Sequence, residues 1–239
     1  MKLLLIVGVI CVAGFVQGSA GFGFGLTAMP LLPLLMGYKD AVALVILLSL
    51  IVTAVTFFRT RAHYDWRQGW ELIVGALAGI PIGIYVLVRA DEVLLRHLLG
   101  GAMCLFAAKE LIFAQRRTRT IPTTFGFPLG VLSGGFDAAF NMGGPPAIAY
   151  VYSRPWNREQ TVASLQVLFG IGTILRLTLS AGTGLLNGHV LTLGAWALVP
   201  LSLCLLAATH VATRFSRDAL KKTVFVFLGV MGIKYLTFG

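Results

Sequence analysis

Hydrophobic positions in this chain gather into eight long blocks, at about residues 3–36, 40–58, 69–88, 93–114, 124–152, 160–180, 189–213 and 219–238. Charged residues collect mainly in the short intervals between them. Most blocks are close to the ~20 residues a helix needs to cross ~30 Å of hydrocarbon. The pattern therefore predicts an all-α membrane protein. Blocks 3–36 and 124–152 are too long for one straight crossing, and glycines and prolines interrupt both.

The two interruptions are copies of one motif, about 116 positions apart. The first runs Gly14-Phe15-Val16-Gln17-Gly18-Ser19-Ala20-Gly21-Phe22-Gly23-Phe24-Gly25 and ends at Met29-Pro30. The second runs Gly130-Val131-Leu132-Ser133-Gly134-Gly135-Phe136-Asp137-Ala138-Ala139-Phe140-Asn141 and ends at Pro145-Pro146. Glycine and proline release backbone N–H and C=O groups, which are costly in hydrocarbon unless protein or a watery cavity satisfies them. Broken segments at matching places in two halves point to a transporter's substrate site. The halves match elsewhere too. Asp40 and Glu159 each open the next helix, where an acid suits the N-terminal dipole. Pro81 and Pro200 sit centrally in the third segments, and Lys109 and Lys234 sit toward the ends of the fourth. The repeats are residues 1–117 and 118–239 of one membrane domain, joined by a basic linker from Gln115 to Pro122.

Charge orients the blocks. Arg59, Arg61 and Arg67 place one loop in the cytoplasm. Arg116, Arg117 and Arg119 do the same for the linker, and Arg214, Arg217, Lys221 and Lys222 for the last loop. The loop from Ser180 to Gly188 carries no charge and belongs outside. Arg154 and Arg158 follow block 124–152, so that block enters and leaves from the cytoplasm. It is expected to be a re-entrant pair of short helices hinged at the break. Block 3–36 would do the same from the outside. The expected fold is thus two inverted-topology repeats, each a re-entrant broken-helix hairpin plus three transmembrane helices, with the hairpin tips meeting near the midplane. Straight crossings of both long blocks would instead make the repeats parallel and misplace several Arg-rich loops. Trp66, Trp70 and Trp156 read as interfacial aromatics.

Composition agrees: 57% of residues are hydrophobic and 12% charged, against roughly 25% charged in a soluble domain. The net charge of +10 is a topology signal, since no basic stretch has the interleaved aromatics of a nucleic-acid surface. Cys11, Cys104 and Cys204 lie in apolar segments, and His63, His97, His189 and His210 are scattered, so no metal or cofactor is expected. Lys2 and the apolar run after it imitate a signal peptide. Cleavage near Gly18-Ser19-Ala20 would remove the first copy of the repeat, so the segment is read as retained. No Walker A motif or nucleophile elbow is present, and no enzyme constellation is expected.

The chemistry is expected at the breaks. Gly14, Gly18, Gly130 and Gly134 have the four-residue spacing of close helix packing. Gly21, Gly23 and Gly25 suit a turn that exposes N–H donors at the start of a half-helix before Pro30, a ready anion site. Asn141, Gly143 and Gly144 would do the same before Pro145 and Pro146, because proline is tolerated in a first helical turn. Gln17, Ser19, Ser133, Ser164 and Gln166 either orient a ligand or bond neighbouring helices. Asp137, which aligns with Gly21, is a functional candidate by default as an acid in an apolar block. It could carry a coupling proton, since low dielectric disfavours the charged form. It could equally accept loop N–H groups or pair with Arg176. Arg176 lies about 17 residues after Glu159, near the outer end of its helix. It is expected to snorkel to the headgroups, with an anion gate as the other reading.

The duplicated motifs from Gly14 to Pro30 and from Gly130 to Pro146 resemble those of the TauE/SafE family of sulfite exporters and anion permeases, and the resemblance covers essentially the whole chain. It implies a plasma-membrane permease for small sulfur-containing or organic anions such as sulfite, sulfoacetate or sulfolactate, often proton-linked. The second copy departs from the family's Gly run with Asp137-Ala138-Ala139-Phe140-Asn141. The leading reading is a proton-coupled secondary transporter of a small anion working by alternating access. Its partners are that anion and the bilayer, and a homodimer is compatible with it. The alternatives are a cation transporter or channel with Asp137 as ligand, or a non-transporting membrane subunit.

Overall fold

The structure, a computed structural model, describes residues 2–65, 69–113, 120–211 and 217–238. Trp66, Arg67, the run from Gln115 to Arg119 and Arg214 lie outside the described residues. The described residues form ten α-helices and no strand, as the hydrophobic blocks predict. These are α1 (Lys2–Ala20), α2 (Phe24–Ala28), α3 (Tyr38–Thr60), α4 (Trp70–Arg89), α5 (Glu92–Phe113), α6 (Gly126–Phe140), α7 (Gly144–Val151), α8 (Arg158–Ala181), α9 (Gly188–Val211) and α10 (Arg217–Phe238). Among the described residues, five helical stretches are long and apolar enough to cross a membrane: α1, α3 with its short 3-10 extension, α4, α8 and α9.

Polar residues between the blocks start the helices. Asp91 Oδ1 accepts the Leu94 N–H at 2.7 Å ahead of α5. Asn157 and Gln160 form a reciprocal capping box on α8, at 2.8 and 3.0 Å. Asn187 accepts the Val190 N–H at 2.9 Å and donates its own amide to Asp40 Oδ1 at 2.8 Å. Asp40 and Glu159 stand in the first turns of α3 and α8, as expected.

Both long blocks break where their glycines cluster, but the arms are unequal. The first has helices of 19 and 5 residues, the second of 15 and 8. At ~1.5 Å per residue α1 is as long as a bilayer's hydrocarbon is thick, and α2 is little more than one turn, so the first block has one long arm and one very short one. A single helical glycine costs only about 1 kcal/mol, and α1 runs through Gly8, Gly14 and Gly18 before it stops.

The chain divides into two compact units, neither of them contiguous in sequence. One comprises Met1–Val45, Arg89–Arg116 and Asn187–Gly239. In it α1 lies on α9, with Gly14 against Leu201 and Gly18 against Leu205 and Ala208. Helix α5 lies on α10, with Gly100 and Gly232 so close that a Cβ on either would meet the other's carbonyl. The other unit comprises Ile46–Val88 and Arg117–Leu186. Here Gly130 and Gly134 of α6 meet Leu72, Gly75 and Ala76 of α4. Gly75, Gly79 and Gly83 return the contact, facing the carbonyls of Phe127, Val131 and Gly135. The four expected packing glycines therefore do pack. In each unit the first arm of a broken block lies against the third long helix of the other sequence half.

Candidate functional site

The second break is built around Asn141, the one described non-glycine residue with positive φ, at 53°. Asparagine tolerates this left-handed position better than most side chains. The Asn141 N–H donates to the Asp137 carbonyl at 2.9 Å and the Met142 N–H to the Phe136 carbonyl at 3.2 Å. The first is the 5→1 bond of a helix that ends in a left-handed residue, and the second satisfies a further carbonyl of the last turn. The chain then folds back. Ser133 Oγ donates to the Gly143 carbonyl at 2.6 Å, and the Gly143 N–H donates to the Asp137 carboxylate. A side chain at Gly143 would collide with Asp137 and the Ser133 carbonyl. At the far end Gly126 lies against the Tyr150 hydroxyl, so α7 runs back alongside α6. Tyr150 in turn accepts a hydrogen bond from Arg154.

Of the four N–H positions that open α7, Gly143 to Pro146, the two prolines supply none and Gly143 already donates to Asp137, which leaves Gly144 as the donor. The positive end of the short helix is kept, but with one free N–H in place of four.

Arg176 reaches this break from α8. Its side chain is only 2% exposed. Nη1 donates to the Asp137 carbonyl and to Asn141 Oδ1, both at 2.8 Å. Nη2 donates to Thr173 Oγ1 at 2.9 Å and pairs with the Asp137 carboxylate at 3.1 Å. Nε is buried and has no hydrogen-bond partner among the described residues. Arg176 therefore does not snorkel. Its depth along α8 was readable from the sequence. Its direction was not, because a carboxylate and two oxygen acceptors on α6 hold the guanidinium inward.

The first break has a different chemistry. Gly21 and Gly23 take positive φ, at 84° and 107°. Gln17 spans the turn, its Oε1 accepting the Phe24 N–H at 3.0 Å and its Nε2 donating to the Gly21 carbonyl at 3.3 Å. The hydroxyls of Ser19 and Thr27 are buried here without a hydrogen-bond partner among the described residues. Gly25 lies inside α2. Pro30 is not in a first helical turn. It follows α2, and its carbonyl accepts from the Tyr235 hydroxyl at 3.2 Å.

The register of the two breaks differs from that of the packing glycines. Helices α1 and α6 end at Ala20 and Phe140, and α2 and α7 begin at Phe24 and Gly144, an offset of 120 in both cases. Asp137 then corresponds to Gln17 rather than to Gly21. Both side chains put an oxygen on the N–H groups that restart the chain after the turn. The second copy thus replaces a neutral amide with an acid, and Arg176 accompanies the charge. Thr173 and the stripe Gly75, Gly79 and Gly83 are participants that sequence reasoning missed. The four-residue spacing of that stripe was the available signal. Ser164 Oγ is buried in α8 without a hydrogen-bond partner among the described residues.

A family model described as sulfite exporter TauE/SafE matches residues 5–235. The chain is 27% identical over 226 residues to a protein described as a probable sulfite/organosulfonate exporter TauE from Cupriavidus necator, covering 90% of this chain and 87% of that one. No solved structure matches.

Proposed function

This chain belongs to the sulfite exporter TauE/SafE family, and on that premise we propose that it exports sulfite or a related organosulfonate anion across the plasma membrane. The observation that carries the reading is Arg176, a buried guanidinium with an unpartnered Nε beside a helix restart. A sulfur oxyanion offers several acceptor oxygens, and Arg176 brings it a positive charge and the one N–H, at Nε, that its protein partners leave over. The Gly144 N–H and the positive end of α7 would complete the binding. Gln17, the backbone around Gly21, Gly23 and Gly25, and the free hydroxyls of Ser19 and Thr27 are the corresponding donors of the first copy.

Asp137 is the proposed coupling group. While its carboxylate is charged, Arg176 is balanced and an added anion leaves the site net negative. Once the carboxyl is protonated, the cation is free and an anion restores neutrality. Proton and anion binding then favour each other. Carrying both would be electroneutral for a monoanion. Carrying the anion alone would be driven outward by a negative interior, at about 2.3 kcal/mol per charge per 100 mV. Efflux of sulfite from vesicles holding the purified protein tests the function. Saturable efflux that a vesicle-filling organosulfonate inhibits is expected, and efflux no faster than from empty vesicles would refute it.

The membrane arrangement belongs to the same proposal: two inverted repeats, 1–117 and 118–239, each with its broken hairpin re-entering from one side, and alternating access to the bound anion. The fold-back of α7 on α6 supports re-entry of the second block. In a background lacking Cys11, Cys104 and Cys204, single cysteines at Lys39 and Thr183 are expected to react with an impermeant thiol reagent from outside. A cysteine at Pro155 is expected to react only from inside. Reaction of Lys39→Cys and Pro155→Cys from the same side would exclude the inverted arrangement.

A further inference from the structure

Within the second unit, an open groove of about 270 Å³ runs between α3 and α8. Leu50, Ala54 and Phe58 line it from one side, and Val167, Gly170 and Ile174 from the other. Phe58 and Ile174 are exposed at its rim. From Leu50 to Phe58 the stripe covers about 12 Å at ~1.5 Å per residue. That is close to half of a ~30 Å hydrocarbon layer, the depth of one leaflet. The groove ends at positive charge. Arg59 closes the last turn of α3, and Arg61 and His63 follow in the 3-10 turn Arg61–His63. The Arg61 guanidinium stands 5.6 Å from the centre of the Phe58 ring, over the mouth of the groove. Asp65, further along the chain, is the nearest acid in sequence.

We propose that this groove is a binding site for an anionic phospholipid, with one acyl chain lying between α3 and α8 and the headgroup phosphate held by Arg59 and Arg61. Apolar walls of one-leaflet length account for the chain. The arginines account for the charge, since basic residues at a membrane surface attract anionic lipid. Gly170 leaves the space open: a Cβ there would meet nothing within 4 Å. The site stands apart from the Arg176 cluster in its chemistry and does not depend on the transported anion.

That vacancy gives a clean test. Gly170→Leu puts a side chain into the groove from a Cβ position that touches no neighbour, and leucine is the better helix former. Arg61→Gln removes charge and leaves the groove open. The purified protein in detergent is titrated with dioleoyl phosphatidylglycerol or dioleoyl phosphatidylcholine, and the midpoint of thermal unfolding is read. In the parent protein phosphatidylglycerol is expected to raise the midpoint more than phosphatidylcholine. Gly170→Leu should lose most of the rise with either lipid, and Arg61→Gln should erase the difference between them. Equal shifts for the two lipids in the parent protein would overturn the proposal. So would an undiminished shift in Gly170→Leu. A change of oligomeric mass in Gly170→Leu with its lipid response intact would assign the groove to a second copy of the chain instead.

Discussion

Asp137→Asn is expected to keep exchange of sulfite across vesicle membranes and to lose its response to a proton gradient. The amide has the shape of the neutral acid, and its Oδ1 can still accept the Gly143 N–H that the carboxylate accepts now. It cannot release a proton, so accumulation driven by a pH gradient should disappear. Counterflow, which needs no net proton movement, should survive. The variant should also bind the anion more tightly, because nothing then balances Arg176 across the present 3.1 Å contact. Added sulfite should therefore stabilise Asp137→Asn more than the parent protein; a ligand at a hundred times its Kd adds about 2.7 kcal/mol. Two other outcomes are distinct. A cation transporter with Asp137 as its ligand would lose binding altogether. A carboxylate that only organises the turn would leave pH-driven transport nearly unchanged, and that result would remove the coupling role.

Arg176→Gln carries the largest expected effect on stability. It leaves a carboxylate in the protein interior without its cation, and breaking a buried pair from one side costs about 3–5 kcal/mol. The Asp137 carbonyl and Asn141 Oδ1 lose their donor as well. The unfolding midpoint should fall sharply. Asp137→Asn in the same chain should restore most of it, since two neutral amides can hydrogen-bond where the ions stood. If Arg176→Gln were as stable as the parent, the pair would be solvated and the site would not be the dry, charged cluster described here.

Much of this was legible because hydrocarbon leaves the backbone few choices. Blocks of about twenty apolar residues predicted the helices. The glycine runs predicted where two of them stop, since only turn-formers could follow Ala20 and Phe140. The packing role of Gly14, Gly18, Gly130 and Gly134 followed from their spacing. What sequence could not supply was distance across the fold. Arg176 is 39 positions from Asp137, and nothing in either neighbourhood says which face of α8 looks at α6. The repeat itself misled by about one helical turn. Its glycines align at 116 because they serve helix packing, while the breaks align at 120. Only the second register shows that Asp137 occupies the place of Gln17.

Arg176 is the group proposed to hold the anion, and the double variant Asp137→Asn/Arg176→Gln tests this with charge balance and folding preserved. Exchange of radiolabelled sulfite is measured in vesicles containing equal amounts of folded parent, Asp137→Asn and double-variant protein. Exchange is expected for the first two, and a rate no greater than that of empty vesicles for the third. Exchange by the double variant at the parent's rate would contradict that role.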